Sequence, residues 1–557
     1  MLTHSITLLL QALFVAQLFA SPLPSEPRAE VLYDVIVVGS GPAGVIIASR
    51  LSENPARNVL LLEGGGPSYW VTGGTERPAW LAGTNLSRVD VPGLYSTIYS
   101  NPSTNLLCQN KIRAYGACTI GGNSAINAGL FYEPPASDFD KYFPTGWKHT
   151  DLNAAISRLY ATQPSTQNPS KDGIYYEQSG YAVAKQWLGT NAGYTELNIN
   201  ANSRQKTKVF GHPAYDYQNG QRGGPVVSYM QTALKRPNFH LQSGTWVQRV
   251  VRTGGVATGV VVVSGGVTST IKLSATGRVI LSGGALKSPE LLMKSGIGDP
   301  AVLTTLSQAN QLGGLPSSSW INNTAVGAGL FDNPNTFIEL SSPSLVAYNY
   351  VYDNPIPADR DLYLTKKSGP YSFAGGSVSF WDTVTHADGT VAGVQGGLGA
   401  AGYADYTNST TVTMNIYGTS GLKSSGKVVL AGSDYLPGPS GDVYYSNPQD
   451  AQDIATFIRR LFDALPADLT PLNLNRGSTV AQIVSYITSY NNAYTRGQVN
   501  HWSSSCRIGA CVDVNTTVIG TTNLHVVDAS IVAPLSVNPQ FGVMVAAEKA
   551  WELINKL

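Results

Sequence analysis

The chain has 557 residues, more than one hydrophobic core usually supports, and 43% of them are apolar, so a large two-lobed globular protein is expected. The formal charge is +1 with only 13% charged residues, which gives no electrostatic reason to expect nucleic acid or an acidic membrane as partner. The 58 Gly, 32 Pro and 29 Tyr point to a loop-rich fold.

Residues 1–20, MLTHSITLLLQALFVAQLFA, read as a secretory signal peptide, followed by a Pro-rich leader over 21–32. The first residues lack the usual Lys or Arg, and an uncleaved anchor is the alternative. No later segment has eighteen consecutive apolar residues, so no stable membrane insertion is expected and the protein is placed outside the cell. Sequons at Asn85, Asn322, Asn408 and Asn515 agree with export. The four cysteines form two close pairs, Cys108 with Cys118 and Cys506 with Cys511. Local disulfides in that pairing are the simplest connectivity, with free buried thiols as the alternative. Neither spacing suits zinc, and no metal site is expected.

The apolar run YDVIVV (33–38) predicts a strand buried on both faces, AGVIIASRLSE a helix and NVLLLE a second strand. Together they form a βαβ unit, hence a parallel sheet with a right-handed crossover. Residues 65–115, rich in Gly, Ser, Thr and Asn, are expected as long surface excursions. GRVILSGG (277–284) predicts another buried strand running into the helix ALKSPELLMKSG. Between about 315 and 490, TVTMNIYG and KVVLAG predict a mostly antiparallel sheet, with a helix near AQDIATFIRRLFDAL. NLHVVDAS and FGVMVAAEKAWELINKL then return to the opening style. The expected architecture is α/β: a Rossmann-like nucleotide-binding domain over 33–310 and 496–557, with a discontinuous substrate domain containing the antiparallel sheet at 311–495.

The first turn reads Gly39-Ser-Gly41-Pro-Ala-Gly44. Gly39 permits the tight turn, Gly41 lets backbone approach a pyrophosphate, and Gly44 lets helix and strand pack closely. Helix N-terminal amides favour the phosphates. Glu63, nineteen residues after Gly44, ends the second strand where a carboxylate accepts ribose hydroxyls. An acid there argues against a 2′-phosphate, but the turn by itself does not separate NAD from FAD.

Three further segments resemble the glucose-methanol-choline (GMC) family of flavin oxidoreductases: ACTIGGNSAIN (117–127), GALKSPELLMKSGIG (284–298) and the C-terminal pair Asn500-His501-Trp502 and Val537-Asn538-Pro539-Gln540. The stretch KVFGHPAYDYQNGQRGGPVVSYMQTALKRPNF (208–239) looks most like the flavin domain of fungal cellobiose dehydrogenases, here without a haem domain. The resemblance implies the family fold and FAD. It places Gly121 and Gly122 close to the flavin, with Asn127 hydrogen-bonding near the isoalloxazine and Asn123 standing in place of the family's usual small residue. It places Val247 at the adenine, and Asp528 and Ala529 at the ribityl and phosphate region. No histidine lies between Arg113 and Asn127, so a histidyl link there is excluded and noncovalent FAD is expected.

Hydride abstraction from a CH–OH carbon needs a base for the hydroxyl proton, and a near-neutral imidazole suits that task. Of the seven histidines only His501 stands in a matching motif, and the resemblance makes it the base, with Asn538 holding the same substrate oxygen. Tyr417 and Asn500 match contacts of the family's disaccharide pocket, which makes a cello-oligosaccharide-like sugar the leading expectation. Ser96, Leu106 and Leu107 depart from that pocket, as does the missing arginine near Gln395. The alternative is a non-sugar or secondary-metabolite alcohol, handled by an oxidase, dehydrogenase or cyclase. Oxygen, a quinone or a redox protein is the expected external electron acceptor. A nicotinamide dehydrogenase would share only the first turn, and a non-catalytic binding protein would have no use for His501 and Asn538.

Overall fold

The computed structural model describes residues 31–490, 493–495 and 499–557. The predicted signal peptide and nearly all of the leader lie outside the described residues, as does Arg496, where the last domain segment is expected to begin.

Tyr33–Val38 is the strand on which the first lobe is built. Its apolar side chains are buried on both faces, because it runs parallel between Val59–Leu62 and the end of Val267–Leu281, with Val35 opposite Val59 and Arg278. Phe239–Gln242 extends this parallel sheet beyond Val59–Leu62, and Leu524–Val526 pairs parallel with Val267–Leu281. The long Val267–Leu281 strand also carries the antiparallel strands Val256–Ser264 and Thr245–Thr253, completing seven strands. Pro42–Leu51 follows the first strand as a helix buried along nearly its whole length. It packs against the last helix, Gln540–Ile554. Glu548 on that helix is fully buried and accepts from Arg50, Arg158 and the Tyr229 hydroxyl, so its charge is paired in the interior.

The second lobe is a seven-stranded sheet in the order Thr470–Pro471, Asn335–Ser341, Thr411–Gly418, Val391–Gly399, Gly376–Thr385, Val209–Gly211, Thr195–Glu196. It is antiparallel except for the last pair. The two-residue period of a strand sorts Thr411–Gly418: Val412, Met414 and Ile416 enter a core shared with helix Pro448–Asp463, while Asn415 and Tyr417 line a cavity on the other side. Tyr33–Leu557 forms one compact unit, and the strand Val209–Gly211 joins the second sheet from well before residue 311.

Two expectations are corrected. KVVLAG does form a strand, Gly426–Ala431, but it pairs with Ala328–Leu330 and Leu436–Pro439 in a separate three-stranded sheet. Its partner is the adjacent segment LPGP, reached by a short turn, and local closure wins over joining the large sheet. Residues 65–115 are surface excursions only in part, with exposed and buried residues interleaved. Tyr69, Leu81, Val91 and Leu94 are buried, the last three beside Tyr363 and Tyr371. Polar residues are tolerated there because they are satisfied locally, as where Asp90 accepts from the Ser87 and Trp70 amides.

Among the described residues no helix is long and apolar enough to cross a membrane, and no group of three or more His, Cys, Asp or Glu is gathered for a metal ion. Cys108 is bonded to Cys118 and Cys506 to Cys511, the pairing expected from sequence.

Candidate active site

A cavity of 520 Å³ takes its walls from both sheets. Gly39, Gly41, Glu63 and Val247 line it from the first lobe, Gln395 and Tyr417 from the second, and His501 and Asn538 from the C-terminal segments.

The three glycines of the first turn have different reasons to be glycine. Gly39 has φ +103°, and a Cβ there would lie 2.4 Å from the Ser282 carbonyl oxygen. A Cβ on Gly44 would lie 1.9 Å from the Gly39 carbonyl oxygen, so helix and turn touch directly. Around Gly41 the nearest such atom is 4.0 Å away, which leaves its open side for whatever fills the cavity. Gly121 and Gly122 dock on this turn: the Gly121 amide donates to Ser40 O at 2.9 Å, and a Cβ on Gly122 would approach Gly41 Cα to 2.8 Å. Two distant motifs thus form one cradle.

Glu63 sits at the end of its strand, buried, and accepts from the Ser40 amide (2.9 Å), the Ser40 hydroxyl (2.7 Å) and the Gly65 amide (2.8 Å). Burial raises its carboxyl above the usual range. Val247 is buried beside it in the cavity wall, next to Trp246, which lies against Gly64. Asn123 reaches the cavity, and its Oδ1 holds the Ala117 amide at 2.8 Å. Asp528 and Ala529 line the cavity as well, but the Asp528 carboxylate is engaged inside the protein. It accepts from the Gly284 amide (2.8 Å), the Ser288 hydroxyl (2.5 Å), the Ser530 amide (2.8 Å) and the Ser530 hydroxyl.

The residues fit FAD. A turn stripped of Cβ atoms at a helix N-terminus suits a pyrophosphate, a terminal acid suits a ribose, and the same cavity continues past Asn127 to an imidazole.

That imidazole belongs to His501, half-buried toward the cavity. Its Nδ1 lies 2.9 Å from Asn333 Oδ1, and its Nε2 lies 3.3 Å from Asn538 Nδ2. The amide orientations follow from their other partners. Asn333 Nδ2 donates to the Gly418 carbonyl at 2.7 Å, which turns its oxygen to the ring. Asn538 Oδ1 accepts from Gln395 Nε2 and from the Tyr417 hydroxyl, both at 2.9 Å, which turns its nitrogen to the ring. His501 is therefore protonated on Nδ1 and carries its lone pair on Nε2. Burial pulls the imidazole down to about 3, so it is neutral at ordinary pH.

The backbone at His501 is clamped as well. Asp332 Oδ1 accepts the His501 amide at 2.6 Å, and Oδ2 accepts the Asn500 amide and the Tyr444 hydroxyl at 3.0 Å each. This holds Asn500 at φ +65°. Burial pushes the Asp332 carboxyl up to about 6.

The structure brings all the sequence-expected residues to one cavity except Gly44 and Gly121, which shape the cradle from behind. Asp332, Asn333 and Gln395 were not selected from sequence as site residues. Each is a common polar residue in a strand or loop with no motif around it, and only the fold sets it against His501 or Asn538. Ser96, Leu106 and Leu107 do not line this cavity at all. Tyr95, Tyr99 and Tyr115 line it instead, with the Tyr99 and Tyr115 rings stacked at 5.3 Å.

The chain is similar to known proteins along most of its length. Models of the GMC oxidoreductase family match residues 33–335 and 423–547. Choline oxidase of Arthrobacter globiformis is 26% identical, covering 94% of both chains. Human mitochondrial choline dehydrogenase is 27% identical, over 95% of this chain and 90% of that one. Among solved structures, an Aspergillus oryzae RIB40 formate oxidase superposes with a TM-score of 0.75 at 17% identity, covering 95% of this chain and 98% of that one. A fungal aryl-alcohol oxidase gives 0.67 at 19% identity, over 94% and 99%.

Proposed function

The chain belongs to the GMC oxidoreductase family, and from that premise we propose that it uses noncovalently held FAD to oxidise an uncharged alcohol, with His501 as the base. The observation that carries the reading is the polarity of the hydrogen bonds at His501, which leaves a neutral imidazole with its Nε2 lone pair beside a donating amide. Bound in the cradle, the flavin supplies the acceptor for the hydride that leaves the carbinol carbon. His501 Nε2 takes the hydroxyl proton, and Asn538 Nδ2 donates to the same oxygen and holds it in place. Tyr417 and Gln395 keep the Asn538 amide from turning over. Among the described residues His501 is the sole histidine lining the cavity, and the two cysteines there form a disulfide, which supports noncovalent binding.

Substrate charge is read from the walls. Among the described residues the charged ones that line the cavity are Glu63, Lys287 and Asp528, all on nucleotide-side elements and all with protein partners. A cationic or anionic substrate beside His501 would enter a desolvated site that offers no unpaired counter-charge among the described residues, which is costly. A hydroxyl-rich alcohol such as a sugar hemiacetal is the favoured form of this class. Gln395 Oε1, Asn415 Oδ1 and Asn500 Oδ1 are buried without a partner among the described residues, and all three residues line the cavity, leaving acceptors for further hydroxyls. Secretion is part of the proposal, supported by the two disulfides and by sequon asparagines Asn85, Asn322 and Asn408 on the surface.

The test is anaerobic bleaching of the purified yellow enzyme by neutral alcohols, sugars, a quaternary ammonium alcohol and a carboxylate. Reoxidation by oxygen, a quinone or a cytochrome then identifies the acceptor. Bleaching by charged donors alone would refute the reading.

A further inference from the structure

One buried carboxyl beside the cavity has no part in this chemistry. Asp216 is 1% exposed, and its Oδ2 accepts from Gln540 Nε2 at 2.7 Å. Gln540 Oε1 in turn accepts from Asn127 Nδ2, and Asn127 Oδ1 accepts from the Gly129 amide (2.9 Å) and Arg222 Nη1 (3.0 Å).

The chain of bonds runs in one direction only. At one end stand a backbone N–H and a guanidinium, which can only donate, and they force the Asn127 oxygen toward themselves. Its nitrogen must then face Gln540, whose own nitrogen must face the carboxyl. The Arg222 guanidinium, itself 3% exposed, draws the Asp216 carboxyl down, but burial outweighs it and pushes the carboxyl up to about 7. Each amide nitrogen spends one hydrogen in this chain and makes no second hydrogen bond within the described residues. Both side chains line the cavity, and Gln540 opens the helix Gln540–Ile554, whose N-terminus also favours negative charge.

Resting on the FAD reading above, we infer that Gln540 is a further cofactor-positioning residue: with Asn127 it presents amide N–H groups into the FAD cavity, and Asp216 fixes their direction. The pair favours electron-rich oxygen or nitrogen atoms of the bound cofactor, and favours them more as negative charge builds there on reduction. Its signature is therefore the reduction equilibrium of the bound flavin rather than turnover.

The experiment compares wild type, Gln540→Met and Gln540→Glu as purified holoenzymes, by flavin absorbance and by equilibration with reference redox dyes. Gln540→Met keeps the length and removes the donor. It is expected to retain flavin and to shift the reduction equilibrium about tenfold toward the oxidised form, about 30 mV for a two-electron couple. Gln540→Glu exchanges the donor for a carboxyl oxygen and is expected to shift the same way and further. It also carries the test if Gln540→Met does not fold. Flavin retained with an equilibrium within twofold of wild type, or a shift toward the reduced form in Gln540→Glu, overturns the inference. Wild type purified without flavin would refute the cofactor reading itself, a separate failure seen before any dye is added.

Discussion

His501 Nδ1 is 2.9 Å from Asn333 Oδ1, a residue 168 positions earlier in the chain. This contact decides which ring nitrogen is free to take a proton. Removing it with Asn333→Ala is expected to keep flavin and lower kcat by about tenfold, the scale of one lost orienting hydrogen bond near a charge. Asn333→Asp places a carboxylate on the same nitrogen, stabilises the imidazolium and brings an acidic limb into the pH profile. Wild-type kinetics in both variants would show that the contact does not set the tautomer.

His501→Ala is expected to leave the flavin spectrum intact and to slow anaerobic flavin reduction at least about a hundredfold. Because burial holds the His501 imidazole at about 3, the neutral base persists as pH falls. The imidazole itself then contributes no limb to flavin reduction between pH 7 and 5, where an ordinary histidine would halve the rate near about 6.5. A limb near 6 would belong to Asp332, raised to about 6, and would vanish in Asp332→Asn. A limb at 6.5 that survives that substitution counts against a desolvated His501.

The glycines of the first turn separate folding from binding. Gly41→Val meets open space in the protein, so the variant is expected to fold with a near-normal melting temperature and to lose FAD. Gly44→Ala drives a Cβ into the Gly39 carbonyl and is expected to destabilise the fold itself. Stoichiometric flavin in purified Gly41→Val would contradict the cradle.

Stability should fall as pH rises from 5 to 8. His212, His501 and His525 are pulled down by burial, to about 4, 3 and 3, so their contribution is present above the unfolded value of about 6.5 and is lost on acidification. Five carboxyls act with the opposite sign. Burial raises Asp138 and Asp332 to about 6, Asp216 and Glu339 to about 7, and Glu177 to about 8. Their contribution is full below about 4 and is lost as pH rises through the folded values. The carboxyls outnumber the imidazoles and titrate across more of the range. Differential scanning calorimetry at fixed ionic strength checks the sign, and a melting temperature higher at pH 8 than at pH 5 refutes it.

The sequence by itself determined the nucleotide-binding strands, the first turn with Glu63 and the pairing of neighbouring cysteines, and its short motifs singled out His501 and Asn538 as candidates. Those features are local: strand burial, glycine spacing and short motifs leave their mark within a few residues. It missed the buried part of residues 65–115 because polar composition there hides internally satisfied turns. Only the tertiary structure decided that Asn333 and Asp332 serve His501, and that Gln395 steadies Asn538. It alone turned Gln540 toward Asp216 and left the sugar-pocket positions 96, 106 and 107 outside the cavity. These pairings join strands and loops far apart in the chain. The hydrogen-bond direction that gives each amide its role is fixed by partners that no single stretch of sequence contains.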